Sequence, residues 1–591
     1  MFEARAALDP HRPAVCHGPH RLTYRELDDR ANRVAAFLRS RRRDDSGMVA
    51  ICLPRGLDLV VAIVAATKAG IGYLPVDPTH PRERINRTLS TAAVRVILTM
   101  KDQVADLSRA GAIATTVDDA LAAAPTGQYA AASTPSDFAC AIFTSGSTGA
   151  PKGVVIERRA LAAFTRWACA AFALRAGDRF GLAASPGFDA SLLEIWPTLA
   201  AGACLDVVDT DVLLVPNLLR DWVLTSEVTH LFLTSALAER VLRLTWPSER
   251  CAFRRLITGG DRLQQRPRPK QPFRVVNCYG PTEVTIVATS AAVAPPGGVT
   301  GLPSIGKALP HVAVYVLDNE LRFVPGPAIG ELYIGGTGVA RGYLGRPDLT
   351  AERFVPDPFD PRPAARMYRT GDLGRWLANG EIEFCGRADA QIKIRGNRVE
   401  PAEAAAHLAK HPAVAAAHVL PHSTGRAGEL SLVAYVVPEN PEMALDTGDL
   451  KRFAASRLPD YLVPARFVVL PRLPLTTNGK VNQDALPAPE SAPAFHSATF
   501  SPPRTDIEQW LTEMWQHILS VDHVGIDDSF FDLGGHSLLL AQLHEALGHG
   551  LGREVPMDAI MSHHTIRTLA DFIADDQRIS PPQLDTSSPG P

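Results

Sequence analysis

Three stretches of this chain hold residues whose types and spacing could do chemistry. The first is Thr144, Ser145, Gly146, Ser147, Thr148 and Gly149, followed by Lys152 and Gly153. Glycines let backbone N–H groups come close to an anion, hydroxyls add donors and Lys152 adds a point charge, so this loop suits a polyphosphate. It is not the GxxxxGK[ST] loop, because here Gly153 follows the lysine. The second stretch reads NCYGPTE over 277–283. Tyr279 can stack on adenine, Gly280 and Pro281 fix a turn, Thr282 can donate to a phosphate, and Glu283 is a hard oxygen ligand for the Mg²⁺ that accompanies ATP. The third, DDSFFDLGGHSLLLAQL over 527–543, breaks at Gly534 and Gly535 and puts Ser537 at the head of an apolar helix. Taken singly, these would be a Ser/Gly linker, a Gly-Pro turn and a helix N-cap. Their occurrence in one chain favours the chemical readings.

Each of the motifs in the first 300 residues follows an apolar, strand-like run. The phosphate loop follows 138–143, FDAS at 188–191 follows 182–184, TGG at 258–260 follows Leu256 and Ile257, and NCYGPTE follows Val275 and Val276. Such runs, with 49–53 and 180–183, alternate with helical patterns, as in folds whose helices cover largely parallel sheets and whose ligands sit at the carboxyl ends of strands. Thr23-x-x-Glu26 forms a capping box ahead of Leu27, Ala31, Val34, Ala35 and Leu38 at helical spacing. Beyond residue 300 the chain turns β-rich, with strands expected at 311–317 and 331–334, and a further strand at 391–394. A helix is expected at 402–408, opened by Pro401. The Pro-, Ala- and Ser-rich stretch 486–503 reads as a linker, and Thr505-x-x-Glu508 caps a helix carrying Ile507, Leu511, Met514, Trp515 and Ile518 on one face.

Composition narrows the function classes. A length of 591 residues implies two to four domains. A net charge of −3 gives no field for nucleic acid or an anionic membrane, and the arginine run 39–43 is followed at once by Asp44 and Asp45. The eight cysteines include no CxxC pair, which points to a reducing compartment and no zinc. Glu3 and Asp9 interrupt what a signal peptide would keep apolar, and no stretch has the length of a membrane span, so a cytoplasmic location is expected. Nine lysines stand against fifty-one arginines, which makes a lysine inside a glycine-rich motif notable.

The string SGSTGAPKG, with LTYREL at 22–27, TKAGIGYLPVDP at 67–78, GELYIGGTGVARGYL at 330–344, YRTGDL at 368–373 and GRADAQIKIRGNRVEPAE at 386–403, resembles the adenylate-forming superfamily. Within it, the chain resembles the amino-acid adenylation domains of nonribosomal peptide synthetases, and 527–543 resembles their carrier domain. The resemblance implies a multidomain fold: a large α/β and β-rich adenylation subdomain over 1–385, a small α+β mobile subdomain over 386–485, a linker, an all-α four-helix carrier over 504–576 and a disordered tail over 577–591. It implies that Asn277 lies near the adenine amino group, that Asp372 accepts the ribose hydroxyls, and that Arg387 reaches the ribose or α-phosphate. It further makes Asp389 a hinge, Lys480 the catalytic cation and Ser537 the attachment point of 4′-phosphopantetheine. Two departures stand out: Pro401 and Ala402 where Leu-Gly is usual, and Asn482 and Gln483 where Asp-Arg is usual.

For the substrate, the resemblance pairs Asp189 with an α-ammonium group and lines the pocket with Ala190, Leu193, Phe232, Ile257, Gly259, Cys278, Ile286 and Val287. None of these wall residues is charged, so a charged substrate side chain would be left unpaired at a cost of several kcal/mol. The expected substrate is a branched aliphatic amino acid, with an aromatic one as runner-up. Expected cofactors are ATP, Mg²⁺ and 4′-phosphopantetheine. Expected partners are a phosphopantetheinyl transferase, an MbtH-like activator protein, and a tailoring enzyme or condensation domain acting in trans. The last follows because the sequence has no HHxxxDG condensation motif and no GxSxG thioesterase elbow. Rival readings are an acyl-CoA or aryl-acid ligase of the same superfamily, and an inactive adenylation scaffold whose carrier is loaded in trans.

Overall fold

The computed structural model describes residues 1–575 except 42–47, 109–111, 125–133, 147–149, 248–250, 298–300, 390, 395, 424–429, 441–442, 444, 476–480, 490–500, 520, 522, 532, 534, 536 and 554. These residues divide into two compact units, one of 1–209 with 216–400, the other of 210–215 with 401 onward.

The first unit is built on three sheets. One has the strand order Lys307–Ala308, Thr289–Val293, Arg274–Tyr279, Arg255–Gly259, His230–Thr234, Arg179–Leu182, Cys204–Val207, Pro13–His17, His20–Thr23. A second runs Gly342–Tyr343, Lys152–Glu157, Phe138–Thr144, Gly72–Pro75, Met48–Cys52, Val96–Thr99, Ile113–Thr115. Their central strands are parallel and read as unbroken apolar runs because both faces are covered. Helix Leu57–Lys68 is buried almost all round, from Leu59 to Ala66, and helix Tyr24–Ser40 is amphipathic and opens with the expected capping box at Thr23 and Glu26. The third sheet is antiparallel, Val312–Leu317, Gly330–Gly336, Arg366–Trp376, Phe354–Pro356, with Ile382–Arg387 paired to Arg366–Trp376.

A short hairpin, Ile392–Ile394 with Asn397–Val399, belongs to this first unit, whereas the sequence motifs group it with the smaller subdomain that follows. One local feature is not legible in the sequence: the strand after the phosphate loop, Lys152–Glu157, turns back antiparallel to Phe138–Thr144, with Thr144 opposite Lys152.

The second unit contains an antiparallel pair, Val414–Ser423 with Leu430–Pro438, extended in parallel by Arg466–Val469, and the helix Pro401–Leu408, which starts on proline as expected. Among the described residues four helices lie beyond 500, Asp506–Leu519, Ser537–Leu551, Met557–Ser562 and Ile566–Asp575. Thr505 caps the first of them: its hydroxyl accepts from Glu508 N–H at 3.2 Å while Glu508 accepts from Thr505 N–H at 3.1 Å. Their core centres on fully buried Trp515, edge-on to Phe530 at 4.9 Å between ring centroids. Gly535 is required there, because a Cβ would lie 2.2 Å from the Phe530 ring and 2.3 Å from its carbonyl oxygen. This matches the fold class expected from sequence, α/β and β-rich followed by a helical carrier. No helix among the described residues is long and apolar enough to cross a membrane.

Candidate active site

The motifs meet at the carboxyl ends of the strands. Thr144 ends its strand with its hydroxyl buried and without a hydrogen-bond partner among the described residues, a donor left for an anion. Gly146 admits no side chain, since a Cβ would sit 1.9 Å from the Ala150 carbonyl oxygen. Ser147, Thr148 and Gly149 lie outside the described residues. Ser145 donates its hydroxyl to the Arg398 carbonyl at 2.6 Å.

Lys152 is buried and does not point to open space. Its Nζ lies 3.1 Å from Glu283 Oε1 and donates to Tyr343 Oη at 3.0 Å. Glu283, on a short 3₁₀ turn after strand Arg274–Tyr279, is fully buried and also accepts from Arg398 Nη1 at 2.9 and 3.1 Å and from Tyr343 Oη at 2.7 Å. Burial alone would raise its pKa, but the Arg398 and Lys152 charges and the Tyr343 hydrogen bond outweigh it and hold the carboxyl well below the usual range. Lys152 moves down to about 8, first through burial and then through the Arg398 charge, with Glu283 opposing. Both oxygens of Glu283 are thus engaged, so a Mg²⁺ ion does not fit on this carboxylate while Arg398 holds it.

The residues expected at the nucleoside have partners within the protein. Tyr279 Oη donates to Asp372 Oδ2 at 2.6 Å, Asn277 Nδ2 donates to the Ser304 carbonyl at 2.8 Å, and Arg387 forms ion pairs with Asp372 and, at 2.7 Å, with Asp389. Asp372 and Arg387 are register partners on neighbouring strands, and Arg387 in turn holds the hinge candidate Asp389.

The expected pocket residues on strands share one face. Ile257 and Gly259 are two apart on one strand, Phe232 is the register partner of Ile257, and Cys278 that of Gly259. Ala190, Leu193, Phe232, Ile257, Cys278, Ile286 and Val287 are all buried in one apolar cluster. Ile286 and its neighbour Thr285 have φ of 76° and 62°, a left-handed conformation that β-branched residues avoid, at roughly 1–3 kcal/mol each. The turn is forced: Gly280 passes so close that a Cβ would lie 2.6 Å from the Ile286 carbonyl oxygen.

Asp189 stands at the N-cap position of helix Ala190–Ala201 without a side-chain capping hydrogen bond and is 6% exposed. It accepts from the Thr282 hydroxyl at 2.6 Å, so Thr282 serves this carboxylate here and not a phosphate. No described cation forms an ion pair with Asp189. Burial therefore raises its pKa to about 6, with the Thr282 hydrogen bond and the more distant Lys393 charge only partly opposing.

Lys480 lies outside the described residues. Ser537 is the first residue of its helix, as the sequence indicated. Arg398 and Tyr343 are not singled out by sequence reasoning. Both lie inside strings that carry the family resemblance, and that is their only signal.

Comparison with known proteins identifies three segments: residues 2–344 match the AMP-binding enzyme family, 403–480 the AMP-binding enzyme C-terminal domain, and 509–573 the phosphopantetheine attachment site. The chain is 41% identical over 578 residues to a linear gramicidin synthase of Brevibacillus parabrevis, covering 97% of this chain and 11% of that protein. It is 39% identical over 580 residues to the dimodular nonribosomal peptide synthase of Bacillus subtilis (strain 168), covering 96% of this chain and 24% of that protein. The chain thus spans a small part of these curated relatives. A solved holo nonribosomal peptide synthetase protein containing adenylation and carrier domains, bound to a vinylsulfonamide inhibitor, superposes with a TM-score of 0.80 at 25% identity, covering 97% of this chain and 95% of that one.

Proposed function

The chain belongs to the AMP-binding enzyme family, with adenylation and carrier segments joined as in nonribosomal peptide synthetases, and from that premise we propose that it activates an apolar α-amino acid and loads it onto its own carrier. Adenylation segments of this kind use MgATP, and the carrier takes 4′-phosphopantetheine, here on Ser537. In the first step a carboxylate oxygen of the amino acid attacks the α-phosphorus of ATP. The bond to the β-phosphate breaks, giving aminoacyl-AMP and pyrophosphate. In the second step the carbonyl passes to a thiol, the group that phosphopantetheine supplies, and AMP leaves with its bonding pair.

One observation carries the substrate class. Asp189 is a buried carboxylate facing an apolar wall, held by a neutral hydroxyl and lacking a cation of its own among the described residues. An ammonium group from the substrate completes that pair, and a fatty or aryl acid leaves it uncompensated. The apolar wall from Phe232 to Val287 then selects a branched aliphatic side chain, the aromatic ones coming second. The buried, unpartnered Thr144 hydroxyl and the Lys152 cation supply phosphate-side donors, and Lys480 is assigned the charge developing between carboxylate and α-phosphate. Asp372 and Arg387 are assigned the ribose. A phosphopantetheinyl transferase acts first on Ser537, an MbtH-like protein is an expected activator, and a tailoring or condensation enzyme takes the product.

The test is intact-mass analysis of the holo chain with ATP and each proteinogenic amino acid. A mass gain on the carrier with leucine, isoleucine or valine, absent in Ser537→Ala and in Lys480→Ala, supports the reading. Release of a free CoA thioester with CoA supplied would instead establish the acyl- or aryl-acid ligase reading, and loading only by an added synthetase would establish the inactive-scaffold reading.

A further inference from the structure

The strands that end in TGG and NCYGPTE hold a second concentration of charge at their other ends. His230, Arg255 and Arg274 begin three neighbouring parallel strands and are register partners in one row, so their side chains leave the same face. With Arg175 and Arg254 they line a cavity of about 320 Å³, and Phe172 and Pro272 supply part of its wall. Along strands Arg255–Gly259 and Arg274–Tyr279 the motif residues stand roughly 13–17 Å away. The cavity is therefore separate from the site already described.

The charges around it do not balance. Asp178 forms an ion pair with Arg254 and accepts from the Arg175 backbone N–H at 2.9 Å. Among the described residues no carboxylate forms an ion pair with Arg175, Arg255 or Arg274. Four guanidiniums against the one carboxylate of Asp178 leave an excess of three positive charges. His230 adds none: burial holds its pKa down to about 4, Nε2 donates to the Phe172 carbonyl at 2.9 Å and Nδ1 accepts from the Thr229 hydroxyl at 2.8 Å. Arg255 is half-buried between like charges, and burial first, then Arg274 and Arg254, lower its pKa. Like charges side by side on neighbouring strands are destabilising, and an anion entering the cavity relieves them. Guanidinium forks match phosphate geometry, and a cavity of this size suits a compact polyanion and not an extended chain.

We propose that this cavity is a second anion site, which takes a pyrophosphate group, free or at the end of a nucleotide, on the forks of Arg255 and Arg274, with Arg175 and Arg254 completing its charge. The inference goes beyond the proposed function and does not depend on it, since none of these residues belongs to the adenylation site. An occupant neutralises the row and ties the first residues of neighbouring strands to the loop that carries Arg175.

The experiment labels the full holo chain with phenylglyoxal, which modifies guanidinium groups, and follows each arginine by peptide mass spectrometry without anion, with pyrophosphate and with ATP. Following residues one by one keeps this cavity apart from any occupancy of the adenylation site. Pyrophosphate should slow labelling of the exposed Arg175 and Arg274 about tenfold at concentrations that leave exposed Arg25 unchanged. Protection by ATP as well assigns the group to the end of a nucleotide, and protection by pyrophosphate alone assigns it to the free ion; either result supports the site. Arg255→Gln and, as a second variant on an exposed residue, Arg274→Gln should each weaken the protection of the remaining arginines about tenfold. Pyrophosphate protection no stronger than that of Arg25, or full protection in both variants, overturns the inference.

Discussion

Glu283 and Asp189 are both buried carboxylates, their motifs follow strands of the same sheet, and they titrate in opposite directions. Glu283 has two cations and a tyrosine hydroxyl and is held below the usual range; Asp189 has a threonine hydroxyl and is pushed up to about 6. Burial is common to both, so partners account for the difference. Under the proposed function, the phosphate side carries its own counter-charges and the amino-acid side lacks the one that the substrate would bring. A site built this way spends substrate binding energy on completing an ion pair and is selective for ligands that carry an ammonium group.

The largest effect should come from Glu283→Ala, which leaves Lys152 and Arg398 buried beside each other without an anion. Loss of one partner from a buried pair costs about 3–5 kcal/mol, read as a lower denaturation midpoint. Asp189→Asn should go the other way at pH 8. Its folded pKa lies above the unfolded value, so its contribution to stability is complete below the unfolded pKa and is lost as pH rises through about 6. A neutral amide removes that cost, and about 1–3 kcal/mol of stability should return at pH 8, seen in the same melt. Equal destabilisation by both variants would contradict this.

Amino-acid-dependent pyrophosphate release should show a pH profile with two limbs. The acid limb should fall about tenfold per pH unit below about 6, as Asp189 takes a proton, and the alkaline limb should fall above about 8, as Lys152 loses one. Asp189→Asn should lose the acid limb and keep the alkaline one. The smallest effect is a control far from both carboxylates in sequence and chemistry. Thr23→Ala removes one half of the capping box of helix Tyr24–Ser40 and should cost about 0.5–2 kcal/mol with no change in the pH profile.

Much of this was legible in the sequence for a physical reason. Strands buried on both faces are continuous apolar runs, and motifs at their carboxyl ends are punctuated by glycine and proline, so the strands before the phosphate loop, TGG and NCYGPTE are legible, their apolar runs stopping one, two and three residues short of the observed strand ends. The capping boxes at Thr23 and Thr505 are local and were equally plain. Long-range pairings were not. Nothing near Lys152 shows that it pairs with Glu283, nothing near Thr282 shows that its hydroxyl serves Asp189, and Arg398 is one of fifty-one arginines. The left-handed Thr285 and Ile286 also escape a sequence reading, because propensity argues against that conformation and the close pass of Gly280 imposes it.

Whether the substrate supplies the cation Asp189 lacks is tested by comparing leucine with 4-methylpentanoic acid, the same molecule without its ammonium group, in pyrophosphate release by wild type and Asp189→Ala. Wild type should favour leucine by about 10²-fold or more in kcat/KM, the worth of a buried charge pair, and Asp189→Ala should lose most of that preference. Equal rates for the two acids in wild type, or a preference for leucine that survives in Asp189→Ala, would contradict this reading.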